Sequence, residues 1–149
     1  MINKILPNIV DNNYRGNKIA LWFFYLITAM TVVRSCIHIF KHDGGAQSIA
    51  TIPLDTYTNG GAEAVIFIFA YWGLSQLLFG ILYVIVAMKY KSLIPLMYLS
   101  LLVEYGGRFI ISLFKSLETV GQAPGGVGNY VLPIVCLIMF FLSINETKK

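Results

Sequence analysis

The chain has 149 residues, 57% of them hydrophobic and 12% charged, against about a quarter charged in a soluble domain. With a mean hydropathy of +0.72, this leaves no room for a soluble catalytic domain and predicts one integral membrane domain over 1–149. The formal charge of +4 collects at the ends of apolar stretches, so it reads as a topology signal; no nucleic-acid partner is expected.

Residues 1–17 carry Ile2, Ile5, Leu6, Ile9 and Val10 at near-helical spacing ahead of Asp11-Asn12-Asn13. A short helix on the inner interface and a frayed polar terminus are the two readings of this N-terminal segment. Four stretches then pass the length test of roughly 17–25 apolar residues per span: 18–40, 63–88, 93–114 and 129–145. The predicted fold is an all-α membrane protein, a four-transmembrane-helix bundle. The first span contains Arg34, exceeds a signal-peptide core in length and has no small-x-small cleavage site, so it is expected to stay in the membrane. Between the first two spans, 46–58 holds Ile49, Ile52, Pro53, Leu54 and Tyr57. That is too apolar for a free loop and too short to cross, and predicts a lid or interfacial segment folded over the bundle mouth. The brief turn at 89–92 predicts that the second and third spans are antiparallel neighbours.

Lys4, Arg15 and Lys18, then Lys89 and Lys91, then Lys148 and Lys149 fall on one side of this arrangement. The other side receives Lys41 with Asp43 and Asp55, and Lys115 with Glu118. The positive-inside rule predicts an N-in, C-in protein of the plasma (inner) membrane, both termini cytoplasmic.

Stepping three or four residues along each span gives one polar or small face. The first is Thr28, Thr31, Arg34/Ser35 and His38; the second Gly73, Gln76, Gly80, Tyr83 and Ala87. The third is Ser100, Glu104, Gly107/Arg108 and Ser112, and the fourth Asn129, Pro133, Cys136, Phe140 and Ser143. Such faces converge when membrane helices pack. Arg34 and His38, and Glu104 and Arg108, are each spaced i, i+4 and so stack on one side of a helix. A charge facing lipid costs at least ~2.5–3.5 kcal/mol, so these groups must face protein or a wet cavity. At ~1.5 Å per residue, Gln76 and Glu104 reach the middle of the bilayer, with Arg34, Arg108 and His38 further out.

The expected ligand-binding set is therefore Arg34, His38, Gln76, Glu104 and Arg108, with a rim of Asp43, Gly44, Gly45 and Glu63. Two arginines facing one glutamate leave positive charge in excess, which points to an anionic or polar guest. The plainer reading is that Glu104 neutralises one arginine across the interface and the network only sets helix register. The glycine pairs 44–45, 60–61 and 125–126 are expected to terminate helices and form turns through positive φ; an anion-receptive rim of backbone N–H groups is the sharper alternative. His42 lies one turn beyond His38 on the same side but is expected to reach water, with no further ligand beside the two, and Cys36 and Cys136 lack a C-x-x-C partner, so no metal and no redox centre are expected. Trp22 and Trp72 read as belt or packing residues.

The stretch Glu104-Tyr105-Gly106-Gly107-Arg108, the Gly/Pro-bearing loop 121–128 before a plain fourth span, Gly60-Gly61-Ala62-Glu63 and the pair Gly73/Gly80 resemble small bacterial tetraspan proteins of the DoxX-like group. The chain departs from them at Ala64 and Val65, where those proteins carry an arginine. The resemblance implies a four-helix bundle and a link to quinone-associated redox partners. The leading functional expectation is a binding or carrier-type protein holding a small polar or anionic amphiphile in an outward-facing charged cavity. An accessory subunit of a larger membrane complex, or a homo-oligomer, is the second. An intramembrane enzyme using Glu104 or His38 ranks last, since no nucleophile, metal set or cofactor motif accompanies them.

Overall fold

The computed structural model describes residues 2–145, so the Lys148-Lys149 tail used for topology lies outside the described residues. The chain folds as α1 (Ile2–Ile5), α2 (Lys18–Phe40), α3 (Asn59–Lys89), α4 (Ile94–Phe114) and α5 (Pro124–Ile144), with 3-10 turns at Leu54–Thr56 and Lys91–Leu93 and no strand among the described residues. The helices α2 to α5 are each long and apolar enough to cross a membrane.

Local chemistry sets where each helix begins. Asn17 Oδ1 accepts the Ile19 N–H at 2.8 Å and caps α2 at the expected residue. Thr58 Oγ1 accepts the Gly61 N–H at 3.3 Å, so α3 starts at Asn59, four residues before the expected span. Proline in the first turn starts α5 at Pro124 instead of 129. Gly60-Gly61 and Gly125-Gly126 consequently lie in first helical turns, and only Gly44 and Gly45, at φ +59° and +76°, form the positive-φ turn that ends a helix. With 31 residues, α3 is about 46 Å long at 1.5 Å per residue and must tilt in, or project beyond, a hydrocarbon layer of about 30 Å.

The helices associate as two pairs, α2 on α3 and α4 on α5, joined chiefly through α2 and α5. The short turn leaves α3 and α4 in contact, but over a small area, where the Tyr83 and Ser100 hydroxyls lie 3.1 Å apart at matching distances from the turn. A tight turn constrains only the helix ends. Small residues decide which long faces meet, and on α3 these face α2: a Cβ on Gly73 would sit 2.7 Å from His38 Cβ, and one on Gly80 3.0 Å from Val32 Cγ2.

All four long helices share one apolar core, around Phe24, Ile27, Tyr83, Tyr98, Leu101, Cys136 and Phe140. Phe24 meets Tyr83 and Tyr98 edge-on, and the Tyr98 hydroxyl donates to the Ala20 carbonyl at 2.5 Å. This core occupies the half of the bundle nearest the chain ends. There the N-terminal segment forms the short helix α1 and is not a frayed tail. It straps the bundle end, with the Asn17 N–H on the Leu142 carbonyl at 3.0 Å and the Ser92 N–H on the Asp11 carbonyl at 3.2 Å.

At the opposite end, 46–58 folds back on α3, burying Ala46, Ile52 and Leu54 against Ala62, Val65, Ile66 and Phe69. Thr51 holds φ +57°, a conformation rare for a β-branched residue. It does so where the two connecting loops meet: its carbonyl accepts the Val120 N–H and its hydroxyl donates to the Gly121 carbonyl, both at 3.0 Å.

Candidate functional site

The site is built by three helices at the loop end of the core. From α2 come Arg34 and His38, from α3 Phe69, Trp72 and Gln76, and from α4 Glu104, Tyr105 and Arg108. The close approach at Gly73 seats His38 directly against α3.

Arg34 donates its Nε–H to Gln76 Oε1 at 3.1 Å, so the amide must present its Nε2 side elsewhere. The Glu104 carboxylate pairs with Arg108, one turn along the same helix. The expected bridge across the interface is thus replaced by an intrahelical one, since the i, i+4 partner is already positioned by the helix itself. Among the described residues Arg34 has no carboxylate within 4.0 Å. Both guanidiniums nonetheless converge on one ring, with Arg34 6.0 Å and Arg108 5.3 Å from the Tyr105 centroid.

His38 Nδ1 lies 2.7 Å from the Gly44 carbonyl. A carbonyl only accepts, so Nδ1 carries the proton and Nε2 is the open position of the ring. The imidazole stacks on Trp72 at 4.7 Å and meets Phe69 edge-on at 5.4 Å, while Arg108 sits 4.8 Å from the Trp72 centroid. Of the belt and packing readings of Trp72, packing describes these contacts, though its partners His38 and Arg108 were not named. The signal was available, because Trp72 precedes Gln76 by four residues and shares its face.

Two polar atoms here are buried without a hydrogen-bond partner, His38 Nε2 and Gln76 Nε2, on side chains only 7% and 5% exposed. Such atoms normally find a partner. Beside Arg108, α4 leaves open space: a Cβ on Gly107, one turn from Glu104, would meet nothing within 4 Å. Two cavities of about 350 and 360 Å³ lie elsewhere, and neither is lined by a residue of this cluster.

The expected rim divides. Gly44 joins the site through its carbonyl, and the turn's N–H groups already serve Asp43, whose carboxylate accepts the Gly45 N–H at 3.0 Å and the Ser48 N–H at 2.7 Å. Burial pushes the Asp43 carboxyl up, but the Ser48 and Gly45 hydrogen bonds and nearby Lys41 outweigh it and hold the group at about 2. Glu63 is exposed in the first turns of α3. Cys36 and Cys136 are both free thiols, and no group of three or more metal-ligating side chains occurs among the described residues.

No family model, curated protein or solved structure matches the chain. The chemistry of the site therefore rests on its own geometry: a guanidinium without a counter-carboxylate, a second one turned toward the same ring, and two unpartnered polar nitrogens.

Proposed function

We propose that this chain is a multi-pass plasma-membrane protein, N-in and C-in, that binds or carries a small anionic amphiphile between α2, α3 and α4. The observation that carries the reading is Arg34, a membrane-depth cation held by a neutral amide. A half-buried charge left without a counter-ion at membrane depth is unfavourable, and an anionic oxygen bound there would also accept from the orphaned Gln76 amide. Glu104 neutralises and positions Arg108, whose guanidinium stays over Trp72 and Tyr105. Phe69, Trp72 and Tyr105 offer an apolar wall to the rest of the guest. In this orientation the site opens outward, below the joined connecting loops.

The test is native mass spectrometry of the protein purified in mild detergent, beside the triple variant Arg34→Met, Glu104→Met, Arg108→Met. The parent is expected to release a bound anionic amphiphile. The triple variant is expected to fold, because a buried ionic set can be replaced by apolar side chains of similar volume, and to lose both the ligand and the stability that ligand confers by mass action. A triple variant that keeps the ligand would end this reading, and a stoichiometric protein partner in place of an amphiphile would favour an accessory subunit.

A further inference from the structure

We propose a second binding site, at the opposite end of α2, that takes a phosphate-bearing anionic headgroup. A cavity of about 350 Å³ lies where the N-terminal strap crosses the ends of α4 and α5; its lining includes Lys4, Arg15, Lys91, Asn13, Tyr14 and Ser92 and, among the described residues, no carboxylate. Its volume falls within the range of about 300–1,000 Å³ typical of small-ligand sites. Along the chain these cations mark one side of the bundle; the fold brings three of them, from two segments far apart in sequence, to one concave surface.

The walls are built. Asp11 and Ser92 exchange three hydrogen bonds, the Asp11 N–H to Ser92 Oγ at 2.9 Å, the Ser92 hydroxyl to the Asp11 carbonyl at 2.9 Å and the Ser92 N–H to the same carbonyl at 3.2 Å. They lock the strap to the turn between α3 and α4. The Asp11 carboxylate accepts the Asn13 N–H at 3.0 Å and pairs with Arg15 at 2.6 Å, holding Arg15 at the cavity edge while itself staying outside the lining. Lys4 donates to the Ile144 carbonyl at 3.1 Å, at the last residue of α5. The Lys91 ammonium makes no hydrogen bond or ion pair among the described residues, so it is available to a guest. Ser92 and Pro95 place the start of α4 at the same surface, where the helix dipole adds partial positive charge.

The level in the membrane names the ligand class. The cavity borders the first turn of α4 and the last of α5, the ends of two apolar helices, which is where the headgroups of a bilayer lie. Pro7, Pro95 and Ile144 complete its apolar side, along which acyl chains can descend beside the bundle. Basic pockets among helix ends at this depth select anionic over zwitterionic headgroups.

The test titrates the detergent-purified protein with dioleoyl phosphatidylglycerol, dioleoyl phosphatidylcholine and inorganic phosphate, read by native mass spectrometry and thermal shift. Phosphatidylglycerol is expected to bind in preference to phosphatidylcholine. Lys91→Gln is expected to weaken phosphatidylglycerol about fivefold with an unchanged lipid-free melting temperature, and Lys91→Arg to restore it. Lys115→Gln, at the other end of the bundle, is expected to leave it unchanged. Inorganic phosphate that matches the lipid in affinity would support the phosphate site and name a soluble phosphate as its source; weaker phosphate binding supports the lipid. Equal binding of the two lipids, no effect of Lys91→Gln, or an equal effect of Lys115→Gln would each overturn the proposal. The central-cluster variants leave this site untouched, so the two readings fail separately.

Discussion

Arg34 on α2 and Gln76 on α3 are joined by one hydrogen bond of 3.1 Å, a cation held by a side chain that cannot neutralise it. Gln76→Glu supplies the missing carboxylate at nearly constant volume. It is expected to raise the melting temperature of ligand-free protein and to weaken retention of an anionic amphiphile by tenfold or more, about 1.4 kcal/mol. Gln76→Leu is expected to lower the melting temperature, since it strands the Arg34 donors at a cost of about 1–3 kcal/mol. Paired melts and native mass spectra of the two variants check both directions; a Gln76→Glu protein that keeps its ligand would contradict the role given to Arg34.

Two glycines separate packing from open space. A Cβ on Gly73 would lie 2.7 Å from His38 Cβ and 3.1 Å from the Ser35 carbonyl, so Gly73→Ala is expected to force α2 and α3 apart and destabilise by about 1–3 kcal/mol. Gly107 has nothing within 4 Å of its added Cβ, and Gly107→Ala is expected to stabilise by up to about 1 kcal/mol through helix propensity. Gly107→Phe is expected to fold and to displace the guest from the space beside Arg108. Unfolding in denaturant gives the stabilities, and a Gly107→Phe protein with undiminished ligand would show that this space is not the binding site.

Asp43 gives the loop end a pH signature. Its folded carboxyl is depressed to about 2, against about 3.9 unfolded, so its contribution to stability is fully present above the unfolded value and is lost as pH falls toward the folded one. Melting curves of parent and Asp43→Asn are expected to differ by a constant amount above about pH 5 and to converge between about 4 and 2. A difference that stays constant through that window would show that Asp43 does not hold this turn in its charged form.

Orientation is tested by single-cysteine labelling in a background lacking Cys36 and Cys136. With the termini inside, a cysteine at 90 is expected to be shielded from an impermeant reagent applied to intact cells, and one at 57 or 122 to react. The reverse pattern would turn the charged cluster toward the cytoplasm.

Four apolar helices, the small-residue stripe of α3 and the i, i+4 spacing that puts Arg34 with His38 and Glu104 with Arg108 on one helix face were all legible in the sequence. Hydropathy, length and helical period are local properties, carried by consecutive residues whatever surrounds them. Helix starts were displaced where a cap or proline outweighed hydropathy, as Thr58 does for α3 and Pro124 for α5. The partners of each face were not legible. Glu104 bonding Arg108 within α4 instead of reaching α2, Trp72 carrying both His38 and Arg108, and the N-terminal strap closing a basic cavity against α4 and α5 all depend on which backbones approach closely. That is decided by steric fit between residues distant in the chain, such as Gly73 against His38, and by charges competing for partners in three dimensions.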